Sequence, residues 1–203
     1  SAEDLTGLLY TTLAKGSKGD AQMAWYKENL IDPYARAIES LRASRINMMD
    51  DFRQLKKSLN VPKDLRKKND SGFTNEQAVR VYLWNKSGKK VPGLSNADLK
   101  ELSDAIENDP KLKLFADQLQ ALTKEEEYTD PSESWLAGSI TGDLIDIINK
   151  EKRSKFLAES GYTDNVNAMF SKENLNKLEA LYGTKYREAM ENILARMKAG
   201  RNR

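Results

Sequence analysis

Tyr34, Ile38, Leu41, Arg45, Met48, Phe52, Leu55 and Leu59 are separated by alternating steps of four and three residues. That heptad spacing predicts one long amphipathic helix. Asp32 reads as its N-cap, with Pro33 at the first helical position, where a missing N–H costs nothing. At about 1.5 Å per residue, the segment 33–59 makes a rod of roughly 40 Å, long enough to be the spine for shorter helices. Arg45 interrupts the apolar seam. Either its stem packs while the guanidinium reaches water, or it forms a register-fixing pair with a buried acid.

Upstream, residues 3–15 are weakly helical and lead into the flexible KGSKGD. From Asp20 the helical pattern strengthens, with Ala21, Ala24, Trp25 and Leu30 sharing one side. After Val61-Pro62, KDLRKKNDSG predicts a short turn of helix and a loop. Thr74 and Gln77 form a capping box, which opens AVRVYLWNK. The alternating branched and aromatic residues of this segment would also suit a buried strand. The cap, and the lack of a second strand for it to pair with, favour a helix. Ser95 to Asp98 caps a helix carrying Leu99, Leu102 and Ile106. Asp109-Pro110 repeats the cap-and-proline device before Leu112, Phe115, Leu119 and Leu122. WLAGSITGDLIDIINK sets Leu136, Ile140, Leu144 and Ile147 on one face, and Ser171 and Thr184 cap two last helices. Tyr186, Met190, Ile193 and Met197 in the last of these repeat the four-three-four spacing, which predicts that it packs on something.

The fold class expected is all-α: an irregular bundle of about eight to ten helices around the long helix at 33–59. The acidic KEEEYTDPSES places a linker at 124–131, between an N-terminal helical subdomain at 1–123 and a C-terminal one at 132–203. A single compact domain is the other arrangement the length allows.

Composition narrows the chemistry. Of 203 residues, 39% are hydrophobic and 32% charged, which suits a helical body with a thin core and a densely charged surface. Lys and Arg number 33 against 31 acids, so the net charge of +2 does not itself point to nucleic acid. The chain has no cysteine and no histidine, which removes thiolate nucleophiles, sulfur-held metals and every Ser-His or Cys-His triad. No apolar run approaches the ~20 residues needed to span a bilayer, and the first residues lack the pattern of a signal peptide. The chain begins Ser1-Ala2, so both ends read as cuts.

Each candidate site has a plain structural counterpart. Between Arg53 and Lys68, seven cations (Arg53, Lys56, Lys57, Lys63, Arg66, Lys67 and Lys68) face one acid, Asp64. Such a cluster could neutralise phosphates of nucleic acid or meet another anionic partner. It could equally be the solvated end of a helix, whose macrodipole favours cations there. Arg196, Lys198, Arg201 and Arg203 at the tail pose the same pair of explanations. GSITGD lacks the Lys-Ser/Thr of a phosphate loop, and its flanks are helical, so Gly138 and Gly142 are read as points of close helix approach or bending. Glu101, Asp104 and Glu107 share a helix face without the apolar surroundings that would tune a carboxylate, and are read as solvated. No catalytic residue, metal ligand or cofactor is expected.

GFTNEQAVRVYLWNKSGKKVPGLSNADLKELSDAIENDPKLKLFADQL, WLAGSITGDL and LEALYGTKYREAMENILARMKAGRNR, together covering about 72–203, resemble stretches of the large polyvalent, or virion-associated, proteins of tailed bacteriophages. The resemblance implies a segment of a giant multidomain polypeptide, located in the virion or host cytoplasm. Its partners would be neighbouring domains or other virion proteins, and GRNR would be an inter-domain connection. It transfers no functional residues. The function expected is a non-catalytic structural and interaction module. The alternatives are a nucleic-acid-binding module using 53–68, an inhibitor docking a helical face on a host protein, or a fragment of a helical enzyme.

Overall fold

A computed structural model describes residues 27–124 and 127–201. The described residues fold as an all-α, irregular bundle of nine α-helices. In chain order these are α1 (Asp32–Leu59), α2 (Pro62–Arg66), α3 (Asn75–Lys86), α4 (Asn96–Glu107), α5 (Pro110–Thr123), α6 (Ile140–Glu159), α7 (Tyr162–Met169), α8 (Lys172–Tyr182) and α9 (Thr184–Arg201). A π turn (Lys27–Ile31) runs into α1, and a 3-10 turn (Trp135–Ala137) precedes α6. Among the described residues, the one β feature is an isolated antiparallel bridge between Lys68 and Thr74.

Two compact units divide the chain: Leu41–Lys152, and Ser1–Ser40 with Arg153–Arg203. In the first of these, Tyr128 is fully buried in the core despite its acidic neighbours.

The Leu41–Lys152 unit is organised by α3. Seven consecutive residues, Ala78 to Trp84, are buried, so the helix is surrounded on all sides. A helix with no wet face has no apolar stripe, and that accounts for the strand-like look of AVRVYLW. Its start is fixed by the capping box: Thr74 Oγ1 accepts from the Gln77 amide at 3.1 Å, and Gln77 Oε1 from the Thr74 amide at 2.9 Å. Helices α2, α4 and α5 pack on α3. From α1, Phe52 joins the same core, with Met48, Met49, Leu55 and Leu59 against its edge. Arg45 is half-buried on this helix.

Expected caps hold α4 and α5. Ser95 and Asp98 make a second reciprocal box, and the Asp109 carboxylate accepts from the amides of Lys111 and Leu112, both at 3.1 Å, ahead of Pro110. The buried sides then follow: Leu102 and Ile106 on α4, and Leu112, Phe115 and Leu119 on α5. The face expected from 136 to 147 needs one correction. Ile140, Leu144 and Ile147 are buried, but Leu136 is 53% exposed. It sits in the 3-10 turn, before the helical register begins at Ile140, so the four-residue step from it does not count along one helix.

In the other unit, α8 packs on α9 and the π turn on α7. Met169, Leu175, Leu178 and Met190 form its core, with Leu30, Phe170 and Tyr182 against it. Ser171 caps α8 through the Asn174 amide at 3.1 Å. Gly183, at φ +92°, ends that helix in a backbone conformation that side chains resist. Arg187 of α9 then bonds Glu179 of α8 at 2.9 Å and Glu191 at 3.0 Å. The helical expectation for residues 20–26 lies outside the described residues.

The capping box is the local signal on which the placement of α3 rests. Thr74→Ala is expected to lower stability by about 1 kcal/mol, read as a lower denaturant midpoint at unchanged slope.

Candidate functional site

Arg80 stands in the middle of the apolar run of α3 and is 2% exposed, so its charge must be met inside the core. Asp143, in the first turn of α6, is 6% exposed and meets it. Arg80 Nε donates to Asp143 Oδ2 at 2.6 Å and Nη2 to Oδ1 at 3.0 Å, a bidentate pairing. The remaining nitrogen, Nη1, donates to the Trp135 carbonyl at 2.6 Å. Tyr128 Oη donates to Asp143 Oδ2 at 3.0 Å. Four separate stretches of chain therefore converge on one guanidinium–carboxylate pair.

Aromatic rings close around it. The guanidinium lies 4.9 Å from the Trp84 ring, one helical turn further along α3. Trp84 meets Tyr128 and Trp135 edge-on at 6.0 and 5.9 Å, and Trp135 stacks on Phe73 at 6.1 Å. Both indole N–H groups have partners: Trp84 donates to the Thr129 carbonyl and Trp135 to that of Pro92. Gly138 explains itself here, since a Cβ at this position would come 2.7 Å from Arg80 Nη2. The close approach that its sequence context suggested is made to an arginine side chain, at the end of the 3-10 turn. Gly142 lies in the first turn of α6, its amide donating to Ser139 Oγ at 3.1 Å.

Burial shapes the ionisation of this region. It pushes the Asp143 carboxyl above its ordinary range, against the opposing pull of Arg80 and Tyr128. It likewise drives the Tyr128 phenol well up, helped by the Asp143 charge. Glu76, half-buried one turn before Arg80, is raised by the same desolvation, while Arg80 and Lys56 pull it down.

The basic segment is brought to one region but divides in two. Arg53 is paired with Asp50 at 2.9 Å. Lys56 lies 4.5 Å from the Phe52 ring and faces Glu76 electrostatically. Lys67 reaches Asp64 at 3.4 Å, and Lys111 of α5 binds the same carboxylate at 2.7 Å. Those lysines hold Asp64 below the usual carboxylate range. Lys57, Lys63, Arg66 and Lys68 are exposed, with no acid partner among the described residues. A cleft of about 270 Å³ runs beside them, lined by Lys56, Pro62, Leu65, Arg66, Thr74 and Glu76. At the tail, Arg196 is exposed. The side chains of Lys198 and Arg201, and all of Arg203, lie outside the described residues.

A larger cleft, about 530 Å³, opens beside Tyr128, with Lys89, Lys124 and Lys150 interspersed with Glu127 and Glu151. Lys89 is engaged with Asp130, Glu127 and the Tyr128 carbonyl, so its charge is matched from within. The acids of α4 are on the surface: Glu101 accepts from Ser71 Oγ at 2.7 Å, Asp104 pairs with Lys100 at 3.6 Å and Glu107 with Lys113 at 2.9 Å. Among the described residues, no group of three or more acids is arranged to hold a metal ion, and no helix is long and apolar enough to cross a membrane.

The Arg80–Asp143 pair was not singled out in the sequence. Its signal was present: one arginine inside AVRVYLW, and an aspartate flanked by Gly142 and Leu144 at a helix start. Pairing them across 63 residues needs the fold.

Compared with family models, curated proteins and solved structures, the chain gives no match. The fold is an all-α irregular bundle, and its Leu41–Lys152 unit holds a buried, aromatic-ringed ion pair.

Arg80→Met or Asp143→Leu alone strands a buried charge and is expected to cost about 3–5 kcal/mol. The double substitution leaves none and should cost clearly less than the two singles combined, as read by denaturant melts of all three variants.

Proposed function

We infer that the chain is a non-catalytic structural and interaction module of a large bacteriophage virion-associated protein. The observation that carries this reading is the use of the buried charge. All three guanidinium nitrogens of Arg80 and both carboxylate oxygens of Asp143 are engaged in tertiary bonds between segments of one unit. The most deeply buried ionic chemistry is thus spent on joining helices of one unit, where its members bond one another.

Surface features agree with a role in contact. Leu181 on α8 is 61% exposed, and Tyr186 on α9 is exposed beside Tyr182, their rings 4.8 Å apart. In the other unit Ile46, Leu114 and Leu136 are exposed. Apolar and aromatic side chains on rigid helices are what neighbouring domains or other virion proteins would grip. The running resemblance of 72–203 to phage polypeptides supplies the setting, a protein carried in the particle or delivered from it with the genome.

Mass spectrometry of purified, salt-washed particles from a phage encoding this sequence tests the reading. Peptides of α3 and α6 are expected in the particle, within a polypeptide longer than 203 residues. Their confinement to the cell extract would sink it.

A further inference from the structure

We propose that Lys57, Lys63, Arg66 and Lys68 form a surface for the phosphate backbone of nucleic acid, bound without regard to base sequence. This goes beyond the role as a contact module and does not depend on where that module resides.

Charge is distributed unevenly over the surface. Over much of the surface, lysines are answered locally: Lys86 by Asp117, Lys100 by Asp104, Lys113 by Glu107, Lys155 by Glu159 and Lys177 by Glu173. Between residues 57 and 68 the single acid, Asp64, is held by Lys67 and by Lys111 from another helix. Lys111 also bonds the Asn60 carbonyl at 2.7 Å. The acid nearest the neighbouring cations is occupied, and four of them face solvent with their charge unmatched by any acid of the described residues.

The backbone that carries these cations is also held in place. The chain turns at Asn60, with φ +52°, and enters α2, whose Leu65 is buried, as is Val61 just before it. Lys63 and Arg66 are three apart on that helix, so their Cβ atoms are neighbours about 5–6 Å apart. Asn75 of α3 fastens the end of α2 twice: its amide donates to the Lys67 carbonyl at 2.8 Å and its side chain to the Asp64 carbonyl at 2.8 Å. Lys68 is bridged to Thr74. Lys57 sits in the last turn of α1. Preorganised cations lose less freedom on binding than cations on a loose tail.

The kind of polyanion follows from what the patch lacks and what it has. Protein interfaces centre on apolar or aromatic anchors, and the exposed large hydrophobics of the described residues all lie outside 53–68. The large apolar side chain of α2, Leu65, points inward and leaves only Pro62 exposed beside the charged Lys63, Asp64 and Arg66, too little apolar surface to insert into lipid. Phosphate-backbone contact needs only cations. With no aromatic among residues 53–68 to stack bases, a duplex is favoured over a single strand.

The test is a fluorescence-anisotropy titration of the full chain with a labelled random-sequence duplex between about 50 and 200 mM salt. At about 0.9 per phosphate, four contacts predict a log–log slope near −3.6, or a loss of about 10²-fold across that range. A variant carrying Lys57→Gln, Lys63→Gln, Arg66→Gln and Lys68→Gln should lose this binding. A charge-matched control, with Lys86, Lys100, Lys155 and Lys177 each changed to Gln, should keep it. All four target residues are exposed, so both variants should melt like the parent. No binding, salt-insensitive binding or equal binding by the two variants overturns the proposal. So does competition by polyglutamate as effective, charge for charge, as unlabelled duplex, which would indicate an acidic protein partner. Preferential capture by phosphatidylserine vesicles would indicate a membrane and overturn it too.

Discussion

A charged arginine cannot sit in an apolar core without an acid beside it, and that constraint organises the Leu41–Lys152 unit. Arg80 is placed by α3, Asp143 by α6, the Trp135 carbonyl by the 3-10 turn and Tyr128 by the segment after α5. Each partner is useful only in one orientation, because the guanidinium donates in a fixed planar fork. The pair therefore does what undirected apolar packing cannot: it selects one register of α6 against α3. Trp84 and Trp135 fill the space around the fork, and Gly138 leaves room for it.

Local signals in the sequence were enough for most element boundaries. Thr74 with Gln77, Ser95 with Asp98, Asp109 before Pro110 and Ser171 all cap where their side chains predict, because a cap is decided within four residues. Long-range relations were harder to see. Residues 78–84 carry no helical stripe because they are buried all round, so periodicity could not tell helix from strand and the cap had to decide. The acidic run at 124–131 looked like a solvated linker, yet one tyrosine within it has its ring in the core and its hydroxyl on Asp143. Leu136 fitted a helical spacing that begins only four residues later.

The candidate sites show the same division. The cluster of cations at 53–68 was visible as composition, but which of them are spent was not. Asp50 is a near neighbour of Arg53, whereas Lys111, which takes up Asp64, lies 47 residues from it in sequence. An even overall balance of charge can thus coexist with a local excess, because pairing depends on where helices meet. The buried pair and the free cations are linked through α3: its Asn75 anchors α2 and its Arg80 anchors α6. Scaffold and surface thus share one helix.

Native-state hydrogen exchange reads that linkage most directly. If the buried pair joins α3 and α6, the amides of 79–84 and of 144–148 open together, with one free energy equal to that of global unfolding, and Asp143→Leu lowers both equally. Exchange of the α6 amides through a cheaper opening, while α3 stays protected and indifferent to the substitution, would contradict the account.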